Sequence, residues 1–173
     1  MDKDLYYMKK ALAQAKRALL LGEVPIGCVI VCDDKVVGRG FNKRNTGKTT
    51  LAHAEMIAID KASKKLGDWR LEGCTMYVTL EPCQMCSGAI VQSRIDRVVI
   101  GAMNPKAGCA GSILDLLNMK EFNHQVEKTL GVGKAESEAL LKEFFTDLRI
   151  RNKEEKRAAA LGEDQDSGSN TNL

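Results

Sequence analysis

The chain has 173 residues, of which 44% are hydrophobic and 28% are charged, the balance of an ordinary globular protein with one core. No apolar run approaches the roughly 20 residues of a membrane-spanning helix, which excludes an integral membrane protein. The formal net charge is +3, and because residues 158–173 hold three acids and no base, residues 1–157 carry +3 plus 3, or +6. This mildly basic charge permits nucleic-acid binding without requiring it.

The amino terminus does not have the pattern of a secretion signal. It starts Met1-Asp2-Lys3-Asp4 and lacks the basic start, apolar middle and small-residue cleavage site of a signal peptide. We therefore expect a cytoplasmic protein. In that compartment six cysteines indicate free thiols or metal ligands rather than a disulfide framework.

The first half of the chain predicts a helix, a hairpin, and a helix-strand-helix segment. Residues 2–21 favour an amphipathic helix that Asp2 caps and Gly22 stops. Strands over 26–32 and 36–41, with a turn at 33–35, are typical of a hairpin, and a polar loop covers 42–50. A helix over 52–66, a strand over 74–80 and a helix from Pro82 to about Ser93 follow, with Pro82 in the favoured first turn.

The second half predicts two more strands and a long last helix. A strand covers 97–101, a loop covers 102–111, one or two helical turns cover 112–117, and a short strand covers 125–128. A mostly polar helix then extends from 136 to about 157. This order predicts an α/β sandwich that opens with an antiparallel hairpin. We expect one folded domain over 1–157 and an acidic, disordered tail over 158–173.

Two cysteines at the start of a predicted helix have the spacing of metal ligands. Cys83 and Cys86, three residues apart in the first turn, lie on one helix face and can hold one ion. The helix amino terminus favours their thiolate forms, and zinc accepts thiolate and imidazole in tetrahedral geometry. The sequence therefore predicts a zinc site here.

His53 is the predicted third ligand, since a second Cys-x-x-Cys or a pair of histidines is absent from the sequence. Three protein ligands leave one position open for water, which is the catalytic pattern of zinc rather than the structural one. Glu55, two residues after His53, is near enough to exchange a proton with such a water.

Other interpretations of these residues stand beside the catalytic one. Cys83 and Cys86 alone are also consistent with a redox pair, and His53 alone with a capping or core residue. The joint pattern at two helix starts favours zinc over both. The remaining cysteines are interpreted as buried free thiols without a role: Cys28, Cys32, Cys74 and Cys109.

At these residues the sequence resembles the zinc-dependent nucleoside and nucleotide deaminases, whose signature is H-x-E followed by P-C-x-x-C. Over about residues 4–151 it is more specifically similar to the bacterial tRNA-specific adenosine deaminases. The segments that carry this resemblance are Glu23–Gly27, Thr50–Glu55, Tyr77–Cys86, Arg97–Ala102, Pro105–Gly108 and the pair Phe144-Phe145.

The resemblance implies a fold, a reaction and a set of substrate contacts. The fold is a cytidine-deaminase-like three-layer α/β/α sandwich with a five-stranded mixed sheet, assembled as a homodimer. The reaction is hydrolytic deamination of the wobble adenosine in a tRNA anticodon stem-loop to inosine, with one zinc per subunit and Glu55 as proton carrier. The substrate positions that carry over are Asn42, Ala54, Lys106, Asn123, Phe145 and Arg149.

One residue departs from the family pattern. After Gly101-Ala102 the family has Asp before Pro-Lys, whereas this chain has Asn104 before Pro105-Lys106. If this side chain faces a neighbouring sugar, an amide discriminates ribose from deoxyribose less well than a carboxylate does. We hypothesise that Asn104 relaxes the preference for RNA over DNA, although Asn and Asp are both good turn residues before proline.

Three other functions remain open from the sequence. The first is deamination of a free base or mononucleotide such as guanine, cytosine or deoxycytidylate, with the same zinc site and Glu55. The second is a noncatalytic zinc-stabilised RNA-binding module, against which the intact Glu55 argues. The third is redox sensing at Cys83 and Cys86, which predicts a response to oxidants and not to chelators.

Overall fold

A five-stranded mixed sheet forms the middle layer of the protein. The computed structural model describes the backbone of residues 2–166 and the side chains through residue 159. Strand β1 is antiparallel to β2 and to β3, whereas β3, β4 and β5 are parallel, in the order β2-β1-β3-β4-β5. The strands are β1 (Gly27–Cys32), β2 (Lys35–Phe41), β3 (Thr75–Leu80), β4 (Arg97–Ala102) and β5 (Glu127–Leu130).

Helices cover both faces of this sheet, which confirms the three-layer α/β/α sandwich. Alternate residues of the same strands enter different core clusters: Ile30 and Val78 pack with α2 and α3, while Val29 and Tyr77 pack with α1 and α4. None of the helices in the described part of the chain combines the length and apolar character that crossing a bilayer requires. The helices are α1 (Lys3–Leu20), α2 (Ala54–Leu66), α3 (Gln84–Gln92) and α4 (Lys134–Asp166).

Helix α2 lies unusually close to strand β2 because both surfaces are made of small residues. A Cβ atom built on Gly40 would lie 1.9 Å from the carbonyl oxygen of Ala54, and one on Gly38 would lie 2.2 Å from that of Ala58. Any side chain at these two glycines would therefore push the helix away. This seating fixes where α2 begins, and His53 is the residue that caps it.

A partly buried ion pair links α1 to the sheet. The Arg97 guanidinium donates two hydrogen bonds to Asp4, from Nη1 to Oδ1 at 2.9 Å and from Nη2 to Oδ2 at 2.6 Å. The Tyr77 hydroxyl donates a third, to Asp4 Oδ1 at 3.0 Å. The hydrogen bonds from Arg97 hold the pKa of Asp4 below its usual range although burial opposes them. Bidentate pairs of this kind are among the stronger polar interactions in proteins.

The predicted elements are present, with shifted boundaries. Asp2 caps α1 through a hydrogen bond from the Asp4 amide, as predicted. The prediction for Pro82 was wrong, because Cys83 caps α3 and Pro82 lies before the cap rather than in the first helical turn. The turns predicted at 112–117 reduce to a short 3-10 helix, Leu116–Asn118, and the fifth strand lies two residues further along than predicted.

Helix α4 extends beyond its predicted end near Arg157. Its backbone is helical through Asp166, so the tail predicted as disordered over 158–173 begins as a continuation of this helix. The predicted disorder of 167–173 lies outside the described residues. The segmentation into a domain over 1–157 and a tail therefore stays a prediction, with its boundary inside the helix.

Replacing Asp4 by asparagine is expected to lower the free energy of unfolding at pH 7 by about 1–2 kcal/mol, since the partly buried Arg97 guanidinium loses its bidentate carboxylate partner and keeps only the more exposed Glu127 as an ion-pair partner. The folded-state pKa of Asp4 is depressed, so its stabilisation is present above the unfolded value and lost as pH falls through the lower folded pKa. Urea titrations should show that the difference in free energy of unfolding between the unmodified protein and Asp4→Asn becomes smaller below about pH 4.

Asp60→Asn is the matched control, because Asp60 forms an exposed ion pair with Lys64 one turn away. Its loss is expected to cost only about 0.5 kcal/mol. Equal destabilisation by both substitutions would contradict the role given to the Asp4–Arg97 pair.

Candidate metal centre and adjoining cavity

Two helix starts meet at one edge of the sheet and bring three donor side chains together. His53 caps α2, Cys83 caps α3, and Cys86 follows in the first turn of α3. Neither cap residue forms a side-chain capping hydrogen bond, so both side chains are available to another partner. The donor atoms of the three residues all lie within 4.8 Å of one another.

The spacing of these donors fits one tetrahedral zinc ion. His53 Nδ1 lies 3.7 Å from Cys83 Sγ and 3.5 Å from Cys86 Sγ. Zinc bonds of about 2.1 Å to nitrogen and 2.3 Å to sulfur, at a tetrahedral angle, place the two donors about 3.6 Å apart. The residues present therefore suit zinc both in chemistry and in geometry.

The donor cluster already has the charge distribution of a thiolate beside an imidazole. Hydrogen bonds that the Cys83 thiolate accepts from Cys86 and from His53 lower the pKa of Cys83 to about 4. The hydrogen bond between Cys86 and Cys83, together with burial, raises the pKa of Cys86. The contact with Cys83 also raises the pKa of His53. Cys83 is the more acidic of the two thiols, and a thiolate is the form of cysteine that binds metal.

Glu55 is a buried carboxylate next to this cluster. Only 4% of its surface is exposed, and it lies in the first turn of α2, two residues after His53. Burial is the main reason that the pKa of Glu55 lies above its ordinary value. A carboxylate in such a place can take up and release a proton.

The other cysteines and the second histidine lie outside the donor cluster. His124 uses Nε2 to contact the carbonyl oxygen of Ile95 at 2.8 Å, a structural role. All six cysteines are free, as predicted, and of the four interpreted as thiols without a role, only Cys32 is partly exposed; the buried ones are Cys28, Cys74 and Cys109.

A cavity of about 680 Å³ opens between the loop after β4 and helix α4. Its apolar wall includes Val24, Leu80 and Leu148. Four of the residues singled out from the sequence line this cavity, although they come from two segments some forty residues apart: Asn104, Lys106, Phe145 and Arg149.

The remaining three sequence candidates do not line this cavity. Asn42 is buried, and its amide donates to Glu23 Oε2 and to the Val24 carbonyl oxygen, both at 3.4 Å. Ala54 is buried at the first position of α2, directly after His53. Asn123 is exposed on the turn before β5.

Sequence reasoning missed two buried carboxylates that organise the loops around the site. Glu23 accepts a hydrogen bond from the Thr46 amide at 2.6 Å and so anchors the polar loop before α2. Glu81 accepts hydrogen bonds from the loop over 104–112. Burial opposes ionisation of Glu81, but these hydrogen bonds outweigh it and lower its pKa. The only local signal was an acidic residue directly before Pro82 and the metal-binding cysteines.

Comparison with known proteins places these features in a family context. Over residues 1–102 the sequence matches the cytidine and deoxycytidylate deaminase zinc-binding region. The chain is 50% identical, over 153 residues, to the tRNA-specific adenosine deaminase of Bacillus subtilis, covering 88% of this chain and 95% of that protein.

Solved structures show the same likeness. A structure from work on A-to-I editing by tRNA:A34 deaminases at the wobble position of transfer RNA is 38% identical, with a TM-score of 0.76 over 79% of this chain and 99% of that one. A guanine deaminase from Nitrosomonas europaea is 21% identical, with a TM-score of 0.66 over 79% of this chain and 81% of that one, which shows the fold alone.

His53→Ala is expected to lower zinc affinity by at least about tenfold and to lower the Tm with it, because metal binding contributes folding free energy. Metal analysis after dialysis and thermal melts with and without a chelator would measure both. The chelator should lower the Tm of the unmodified protein and leave that of the variant unchanged. His124→Ala, at the second histidine, should retain its zinc. Full zinc retention by His53→Ala would remove His53 from the ligand set.

Proposed function

This chain belongs to the tRNA-specific adenosine deaminases within the cytidine and deoxycytidylate deaminase family, and on that premise we propose that it hydrolyses the wobble adenosine of a tRNA anticodon loop to inosine. Membership of the family makes it a deaminase, an enzyme that breaks a C–N bond with water. The observation that carries the proposal is the buried Glu55 beside a donor cluster with zinc geometry.

We assign His53, Cys83 and Cys86 as the ligands of one zinc ion per chain. An ion held by three protein ligands keeps a fourth position for water and lowers the pKa of that water. The two cap positions make this site rigid, since each helix start is packed against the same face of the sheet.

Glu55 is the proposed proton carrier of the reaction. Water adds its oxygen to C6 of adenine, the C6–N6 bond breaks, and ammonia leaves, so two protons of the water must move. Glu55 takes a proton from the attacking water, gives it to the ring nitrogen and then serves the departing amine. Its burial excludes bulk water from this path.

The cavity between the loop after β4 and helix α4 suits an RNA loop. Lys106 and Arg149 offer cations to phosphates, and Phe145, with 46% of its surface exposed, offers a ring on which a base can stack. A base in an anticodon loop is already unpaired, which lowers the cost of extruding it. The contacts proposed from the resemblance are completed by Asn42, Ala54 and Asn123.

Helix α4 extends the basic rim of the cavity. Arg149 and Asn152 line both the cavity and a shallow groove further along the helix. Positive charge that continues outward from the cavity favours the phosphates of a structured RNA over a free base. The residues of this groove are Arg149, Asn152, Lys153, Lys156 and Arg157.

A homodimer and a cytoplasmic location belong to the same proposal. Leu51, Ile113 and Leu114 each expose more than half of their surface, and exposed apolar side chains favour a protein interface. Gly88 on α3 leaves open space where a Cβ would stand, which permits close approach of a second helix.

Inosine formation in a short RNA hairpin with adenosine at the wobble position tests the proposed function. We expect conversion of this hairpin and none of free adenosine, cytidine or guanine. Glu55→Ala should retain zinc and fold while losing at least about 10³-fold in rate.

Conversion of a free base with the hairpin untouched would establish the alternative, a base or mononucleotide deaminase. Binding of zinc and RNA without release of ammonia would indicate a noncatalytic binding module. Activity that is lost on treatment with oxidants, but not with chelators, would indicate a redox sensor.

Asn104 is proposed to relax the preference for RNA over DNA. Its Oδ1 accepts a hydrogen bond from the Lys106 amide at 3.3 Å, a turn contact that an aspartate carboxylate can also make. Asparagine at position 104, in place of the aspartate of the family pattern, therefore leaves the loop intact and changes only the charge at the rim of the cavity. A carboxylate accepts a ribose 2′-hydroxyl more strongly than an amide does.

Asn104→Asp is expected to raise the ratio of RNA to DNA deamination by about three- to tenfold, the scale of the difference between a hydrogen bond to a charged acceptor and one to a neutral acceptor. The measurement is kcat/KM on matched RNA and DNA hairpins. Asn118→Asp, at the exposed last residue of the short 3-10 helix, introduces the same charge outside this cavity and should leave the ratio unchanged. Equal ratios of RNA to DNA deamination for the unmodified protein and Asn104→Asp would contradict the hypothesis.

A further inference from the structure

We propose that Glu81 is a positioning residue whose buried carboxylate accepts hydrogen bonds from both ends of the loop over 104–112, an arrangement we call the clasp. The clasp fixes the position of this cavity wall relative to the metal centre. The inference rests on the proposed function for the identity of the substrate. Glu81 is 2% exposed and stands at the end of β3, two residues before Cys83.

Both carboxylate oxygens are used by the loop. Oε2 accepts a hydrogen bond from the amide of Asn104 at 2.8 Å, at the start of the loop. Oε1 accepts from the amides of Ala110 at 3.0 Å and Ser112 at 2.9 Å, at its end. The Ser112 hydroxyl donates a fourth hydrogen bond to Oε2. One side chain therefore joins the two ends of a nine-residue loop and supplies the acceptor for three of its backbone amides.

The middle of the loop passes so close to the carboxylate that it needs glycine. A Cβ atom built on Gly108 would lie 2.0 Å from Glu81 Oε2 and 2.2 Å from its Cδ. The Cys109 amide donates to the carbonyl oxygen of Pro82 at 2.8 Å, in the residue between Glu81 and Cys83. The loop is thus tied to the same short segment that delivers the metal-binding cysteine.

The start of the loop lines the proposed substrate cavity through Asn104, Pro105 and Lys106. Asn104 and Lys106 line its rim, facing Phe145 and Arg149 of α4. Movement of the loop would shift these contacts relative to the donor cluster, while leaving the three donors in place. The role of Glu81 is therefore in holding substrate, and not in holding metal.

A carboxylate is required here because all four partners are donors. The amide of glutamine presents one oxygen and one NH₂ group, so one end of the loop would meet a donor instead of an acceptor. Glu81→Gln conserves size and removes this match. Ser112→Ala removes a single hydroxyl donor and leaves the three amide contacts, so it is a milder variant that tests the clasp if Glu81→Gln folds poorly.

Glu81→Gln is expected to raise KM for the RNA hairpin by about tenfold or more, the scale of a lost hydrogen bond to a charged acceptor, with kcat changed less than threefold. Zinc content should stay at the level of the unmodified protein. Ser112→Ala should raise KM by a smaller factor. Glu72→Gln is the matched control, because Glu72 is exposed before β3, and it should change neither parameter.

Hydrogen exchange supplies a readout that does not depend on activity. In Glu81→Gln the amides over 104–112 should exchange faster, while those of β3 and α2 keep their protection. Gly108→Ala should raise KM through the same contact, so its effect and that of Glu81→Gln should be less than additive in the double variant.

Two results would overturn the inference: loss of zinc or of kcat in Glu81→Gln with KM unmoved, or unchanged exchange of the loop amides. A protein that acts on no RNA hairpin would instead defeat the proposed function, and the exchange of the loop amides would still decide whether Glu81 clasps the loop.

Discussion

The close contact of helix α2 with strand β2 is the constraint on which the site depends. Gly38 and Gly40 allow the helix backbone to approach the strand, and the carbonyl oxygens of Ala54 and Ala58 occupy the space that side chains would need. This contact fixes where α2 begins relative to strand β2, and thereby fixes the position of His53. Strand β3, two strands away, delivers Cys83 to the same edge of the sheet. A metal site made from two separate helix starts requires both placements at once.

Three buried glutamates surround this edge, and each is satisfied in a different way. Glu23 anchors the loop before α2, Glu55 faces the donor cluster, and Glu81 clasps the loop after β4. Buried carboxylates are costly unless backbone amides or cations meet them, so each one forces its neighbourhood into a single arrangement. Glu23 and Glu81 stiffen the loops on either side of the site. Glu55 lies beside the donor cluster, where the proposed function assigns it the transfer of protons.

Much of the fold could be predicted from sequence because its signals are local. Helical periodicity and the Asp2 cap predict α1, and two β-rich runs around Asp33-Asp34 predict the hairpin. The sequence also predicted a site at His53, Glu55, Cys83 and Cys86 from their spacing near two helix starts, and the structure brings the donor atoms of the histidine and the two cysteines within 4.8 Å of one another. Pro82 misled the prediction for α3, because proline is favoured both in the first turn and just before the cap, and only the backbone geometry distinguishes the two.

The sequence by itself determined the donor set, the order of elements and the family resemblance, because short spacing and periodicity depend on neighbours along the chain. Only the tertiary structure decided which distant segments share a surface. It joined the loop carrying Asn104 and Lys106 to Phe145 and Arg149 of α4, and it placed Glu81 beneath that loop. These relations arise from sheet order and buried hydrogen bonds between residues far apart in sequence. No local pattern encodes such contacts, so they become visible only when the strands are paired and the helices are packed.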